Sequence, residues 1–171
     1  MVMLWLIAII MAAVAWAVDL PADVRADDAE ARGTVRAMHL ATWHQAAAGW
    51  YGASAANRAT SGAIPQASFA SRLPGGTPGS AITFTATGLQ ASADGAGTII
   101  SWVDSADLTE RRATSAAVAE YAGMSMAAGS FETATGTIVN PQLDSAERVA
   151  VPAALAARIP DGAPVVMTSF E

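Results

Sequence analysis

The sequence predicts an α+β domain in which an N-terminal transmembrane helix leads into a long polar helix packed on a small antiparallel sheet. Three observations predict it. An uncharged apolar run fills residues 1–18, a stretch rich in Ala, Arg, Glu and Met follows to about Asn57, and β-rich runs bounded by Gly and Pro occupy much of the rest. Helices segregated ahead of mostly adjacent strands are the pattern of an α+β fold. Set apart from the apolar run, a chain of 171 residues holds one domain with an ordinary core. The expected organisation is an anchor over 1–18, an amphipathic helical region over 19–58 and the α+β remainder of a single globular domain over 59–171, with no internal repeat.

Residues 1–18 contain no charge, proline or glycine, and as a helix they would span about 27 Å at ~1.5 Å per residue, close to a bilayer core. Leu4, Leu6, Ile7, Ile9, Ile10 and Val14 supply most of the insertion energy, at roughly −0.3 to −0.6 kcal/mol each. Trp5 and Trp16 stand toward the two ends, where indoles favour the interface. These eight residues are the expected lipid contacts. A cleaved signal peptide competes, because Ala15-Trp16-Ala17 offers an A-x-A site, but the basic n-region is missing and a retained anchor is favoured. The run also lacks the glycine and the glutamate that prepilin processing uses. Arg25, Arg32 and Arg36 follow the run and none precedes it, which by positive-inside counting keeps the domain inside. Asp19, Asp23, Asp27, Asp28 and Glu30 make the same stretch net negative, and charge alone leaves the side of the membrane open.

Pro21 fits the first turn of a second helix and would separate it from the anchor. Within that helix Val35, Met38, Thr42, Ala46 and Gly49 follow a 3.6-residue spacing and form the stripe expected to pack on the sheet. Trp43 and Trp50 stand seven apart on an adjoining face; aromatics at this spacing are usually core, and the alternative makes Trp43, Trp50 and Tyr51 an exposed interaction face. Residues 59–80 read as a loop, and Leu73-Pro-Gly-Gly-Thr-Pro-Gly-Ser80 lacks the lysine of a phosphate-cradling loop. Residues 81–87 and 97–103 read as an antiparallel hairpin turning through 91–97 at Asp94-Gly95. Asp107, or Ser105, caps a helix running to about Tyr121 before Gly123. Further strands are expected over 131–139 and 163–170, with one helical turn within 151–158.

The net charge of −6 and nine scattered arginines, with no lysine, argue against nucleic acid, which needs concentrated positive charge. Cysteine is absent, so neither a disulfide framework nor a thiolate metal site is available. His39 and His44, five apart on a helix, point about 140° away from each other, which disfavours a shared metal. Gly123-Met-Ser125-Met-Ala127 falls one glycine short of a nucleophile elbow, and both histidines precede Ser125. Asp27, Asp28, Asp104 and Asp107 read as caps and solvated charge. The expectation is a domain without catalytic residues, cofactor or metal that binds other proteins. A secreted envelope domain with an unrecognised ligand-binding or hydrolytic site is the alternative.

The C-terminal stretch Ile138-Val-Asn-Pro141, Val151-Pro152 and Ile159-Pro-Asp-Gly-Ala-Pro-Val-Val166 is similar to the "P…VP…IP-x-GAPV" ending of the small PilM proteins of plasmid-type thin conjugative pili, distinct from the actin-like cytoplasmic protein of the same name. The layout of anchor, Ala/Arg helix and strands resembles that family along nearly the whole chain. The resemblance implies a single-pass protein of the bacterial inner membrane with a periplasmic domain. It would belong to the type IV pilus assembly apparatus or basal body and contact other pilus-assembly proteins or pilins. A minor pilin-like subunit lies structurally close to this reading. The resemblance implies no catalytic residues.

Overall fold

Alanine-rich sequence sustains helix cheaply, and residues 2–52 form one uninterrupted helix, α1 (Val2–Gly52). The computed structural model describes residues 2–75, 87–105, 107–122, 127–143 and 148–170, with side chains from residue 27 onward. The break expected at Pro21 is absent, since the helix runs through it. A proline removes only its own N–H and strains one preceding turn, and here strong helix formers extend on both sides. The expected anchor over 1–18 lies outside the residues whose side chains are described. Among the described residues, no helix is long and apolar enough to cross a membrane.

The stripe that α1 buries is Ala29, Gly33, Ala37, Leu40, Trp43, His44, Ala47 and Tyr51. Its steps of three and four residues keep these positions on one side of the helix. The stripe expected from Val35, Met38, Thr42, Ala46 and Gly49 is therefore corrected: Ala46 is buried, but Val35 and Met38 are 51 % and 48 % exposed. Small residues win the inner face because a second helix, α3 (Leu108–Tyr121), comes very close to it. A Cβ placed on Gly33 would stand 2.5 Å from the Ala113 Cβ and 2.9 Å from the Thr114 backbone nitrogen. After α1, Ser54 caps a single turn, α2 (Ala55–Arg58), by accepting from the Asn57 N–H, so the expected helix to 58 is two pieces.

Among the described residues, seven strands form one sheet, antiparallel throughout. They are β1 (Ser61–Ala63), β2 (Leu89–Asp94), β3 (Thr98–Val103), β4 (Ala128–Glu132), β5 (Thr137–Val139), β6 (Arg148–Ala150) and β7 (Pro164–Ser169), in the order β1-β2-β3-β7-β4-β5-β6. The sheet is larger than expected. Residues 59–75 contribute β1 and two 3-10 turns where a loop was read. The hairpin's first strand is 89–94, not 81–87, of which 81–86 lie outside the described residues. Its turn narrows to Gly95–Gly97, where the Asp94 carboxylate accepts from the N–H groups of Ala96 and Thr98. The single strand read over 131–139 is a hairpin of β4 and β5, closed by a Gly136 N–H donated to the Glu132 carbonyl.

The two faces of the sheet carry separate cores. On one, Leu89, Ala91, Ala93, Ile99 and Val103 meet Leu40, Trp43, Ala47 and Tyr51 of α1, with Phe69 from the 59–75 segment. Trp43 and Phe69 pack edge to face at 4.8 Å, an arrangement favoured by the ring quadrupoles. The Tyr51 hydroxyl donates to the Arg58 carbonyl at 2.8 Å and accepts from the Gly97 N–H at 3.3 Å, tying the end of α1 to the β2–β3 turn. On the other face Ile100, Trp102, Phe131, Ile138, Val165 and Met167 are covered by Val151, Ile159 and Leu155, the last from a short helix, α4 (Ala153–Ala156). Burial on both faces explains why 97–103 reads as a near-continuous apolar run.

The Gly33 contact gives a paired prediction. Gly33→Ala should lower unfolding free energy by about 1–3 kcal/mol through overpacking against Ala113, although alanine is the better helix former. Gly49→Ala, at an exposed site whose nearest neighbour would be the Arg72 guanidinium at 3.5 Å, should be neutral or raise it by up to about 1 kcal/mol. Urea unfolding of both variants checks the contrast, and equal shifts of the same sign would refute the close approach.

Candidate interaction surface and a buried histidine

The exposed side of α1 faces a cleft of about 580 Å³ bordered by Arg32, Val35, Arg36, His39, Thr87 and Glu110. Arg36 organises it. Its Nε donates to Glu110 Oε1 of α3 at 3.0 Å and its NH1 donates to the Thr87 carbonyl at 2.6 Å, ahead of β2. One planar guanidinium thereby joins three segments. The Glu110 side chain is 13 % exposed and that of Arg36 30 %, so the pair is partly shielded from solvent and less screened than an open surface bridge. Beside this fixed charge, Val35 and Met38 present apolar surface on successive turns. A mixed surface of this kind, built on a rigid helix, suits recognition of another protein.

His44 sits on the opposite, sheet-facing side of α1 and is 4 % exposed. Its Nδ1 lies 3.0 Å from Ser101 Oγ on β3 and its Nε2 2.8 Å from Thr168 Oγ1 on β7. β3 and β7 are neighbours, with Ile99 opposite Thr168, so the two hydroxyls lie on the same face of adjacent strands. In a neutral imidazole one nitrogen donates and the other accepts, and a hydroxyl serves either need. Every polar atom of the ring is then satisfied inside the core. Burial lowers the His44 pKa from its usual 6.5 to about 4, because a charged ring would lose its hydration. Ser101 is fully buried, which closes the His–Ser pair to a substrate. The node is a clamp holding α1 against the two central strands.

The residues singled out in the sequence are distributed accordingly. Trp43 and Tyr51 are 3 % and 0 % exposed and Trp50 is half-buried against the same core, so an exposed face of Trp43, Trp50 and Tyr51 is not what α1 presents. They lie toward the sheet along with the small-residue stripe. His39 is half-buried at the cleft, away from His44. Asp107 caps α3, its carboxylate accepting from the Thr109 and Glu110 N–H groups, while Asp27, Asp28 and Asp104 are exposed. Ser125 and residues 123–126 lie outside the described residues, as do the side chains of Leu4, Trp5, Leu6, Ile7, Ile9, Ile10, Val14 and Trp16. The Arg36–Glu110 pair spans 74 residues and the His44–Thr168 bond 124, and no local spacing signals either.

The His44 clamp predicts a pH dependence. Below pH 6.5 the unfolded chain takes up a proton that the folded chain refuses until about pH 4, so this stabilisation is full above 6.5 and is lost as pH falls toward 4. Between pH 7 and pH 5 the wild-type chain should lose about 2 kcal/mol more than His44→Gln. Urea unfolding at the two pH values measures it, and parallel losses would rule the clamp out as the cause.

A family model described as PilM matches residues 7–167, from within the apolar N-terminal run to the middle of β7. No curated protein and no solved structure matches the chain significantly. By a match covering nearly its whole length, the chain belongs to the PilM family, and that membership suggests a role in pilus assembly.

Proposed function

We propose that the protein is a membrane-anchored, noncatalytic component of a type IV-like thin, conjugative pilus assembly apparatus or basal body. Residues 1–18 hold it in the bacterial inner membrane, its domain is periplasmic, and it works through contacts with other pilus-assembly proteins or pilins. The observation that carries this reading is the family match over residues 7–167, which begins inside the apolar run and so counts part of that run in the family's plan. The continuity of α1 supports it further, since one unbroken helix links the apolar run to the packed domain. Val35 and Met38, beside the Arg36–Glu110 bridge, are the contact surface this reading uses.

One observation favours a second reading. A helix of 51 residues whose C-terminal half packs on an antiparallel sheet is also the plan of a pilin-like subunit, which would enter the fibre.

Cell fractionation separates the two. An assembly component is recovered at full length in the inner membrane and is absent from sheared pili, whereas a pilin-like subunit appears in them. A soluble product starting near Val18 would contradict both. An alkaline phosphatase fusion at Glu171 should be active, and inactivity would place the domain on the other side. Val35→Asp combined with Met38→Asp should reduce pilus number while changing unfolding free energy by no more than about 0.5 kcal/mol, as exposed positions allow. Unchanged pilus number would exclude this surface.

A further inference from the structure

A second cleft, of about 330 Å³, opens where the first two turns of α3 meet Ser130 of β4 and the turn that precedes β7. Its walls are rich in donors. Arg111 and Arg112 both line it, and the carboxylate there, that of Asp161, already accepts from the Thr133 N–H at 2.8 Å. Arg111 is held in place by donating through Nε to the Ser105 carbonyl and through NH1 to the Asp161 carbonyl at 3.0 Å. Those two bonds leave three of its five N–H groups for other acceptors. Arg112, next in sequence, is exposed.

Ser115 also lines this cleft, is 4 % exposed, and its Oγ has no hydrogen-bond partner. A buried hydroxyl without a partner is destabilising and calls for an explanation. Ser92 Oγ is likewise unpaired, but it lines neither this cleft nor the one beside α1. Ser115 therefore combines an unmet polar need with two guanidinium groups, and all of them suit an anionic acceptor. Beside these groups stand Leu108, 66 % exposed, and Pro141, which give an apolar wall next to the cationic one.

We propose that this cleft binds the C-terminal carboxylate of a partner chain that ends in an apolar residue. Arg112 takes the carboxylate, for which a planar guanidinium is the matched donor. Ser115 and Ser130 donate from the floor, and the last side chain covers Leu108 and Pro141. The volume is at the small end of ligand pockets and accommodates a chain end. The proposal rests on the reading that the protein acts through protein contacts and names the chemistry of one partner; it is tested by binding, independently of pilus formation.

The test is titration of the purified full-length chain in detergent with a fluorescent tripeptide ending Gly-Ala-Leu, as the free acid and as the C-terminal amide, with inorganic phosphate as a separate probe. The acid should bind at least about tenfold more tightly than the amide, and R112Q and S115A should each weaken the acid by several-fold to tenfold without altering the amide. Phosphate should displace the acid only weakly, because it offers nothing to Leu108. Equal binding of acid and amide, binding indifferent to R112Q, or binding of phosphate without the peptide would each overturn the proposal. Pilus formation by R112Q bears on the assembly role and leaves this binding result unchanged.

Discussion

The close approach of α1 to α3 at Gly33 sets the geometry from which the other features follow. A Cβ there would stand 2.5 Å from Ala113, so the helices meet almost backbone to backbone. Ala29 and Ala37 lie on the same stripe one turn to either side. With α3 pressed against this part of the helix, Leu40, Trp43, Ala47 and Tyr51 are aligned along the sheet. Glu110, near the start of α3, then comes within reach of Arg36. The cleft beside α1 lies where the outer flank of that helix meets Glu110 of α3 and Thr87 ahead of β2.

The sheet imposes a second constraint. Its centre is β7, flanked by β3 and β4, and β7 is the last of the described strands in sequence. Antiparallel pairing across the middle is complete only when residues 164–169 are in place, so the pairings of β7 with β3 and β4 join segments distant in sequence, a feature of topology that slows folding. His44 reaches across the β3–β7 pair, with Ser101 on β3 and Thr168 on β7. It gives a single histidine the task of fixing helix, strand and strand in one register. The same burial that makes it an effective clamp in the neutral state makes it sensitive to acid.

Much of this was legible in the residues. The long helix followed from an Ala- and Arg-rich composition, the cap at Asp107 from a polar residue before a helical run, and the turn at Asp94-Gly95 from turn chemistry. The C-terminal turn and strand motif pointed to the family that the match over residues 7–167 shows. What misled was size. Val35 and Met38 look like a core face beside Ala37 and Gly33, yet the tight helix pair selects the small residues and leaves the larger ones outside. Three-residue strands such as β1 and β6 carry too little periodicity to be seen. The Arg36 and His44 bonds join residues brought together only by the completed fold, so no spacing foretells them.

For function, these constraints divide the described molecule into an interior whose His44 ring nitrogens are both bonded and an exterior with apolar and charged groups on helices. That division, with membership of the PilM family, is the basis of the proposal that the protein acts by contact in pilus assembly. The most direct measurement is the number of pili per cell, counted by electron microscopy in a strain from which the coding sequence is deleted, with the pilin level followed in parallel. The account predicts that pili are lost while pilin remains, and that the full chain supplied in trans restores them. Normal pilus numbers in the deletion strain would contradict it.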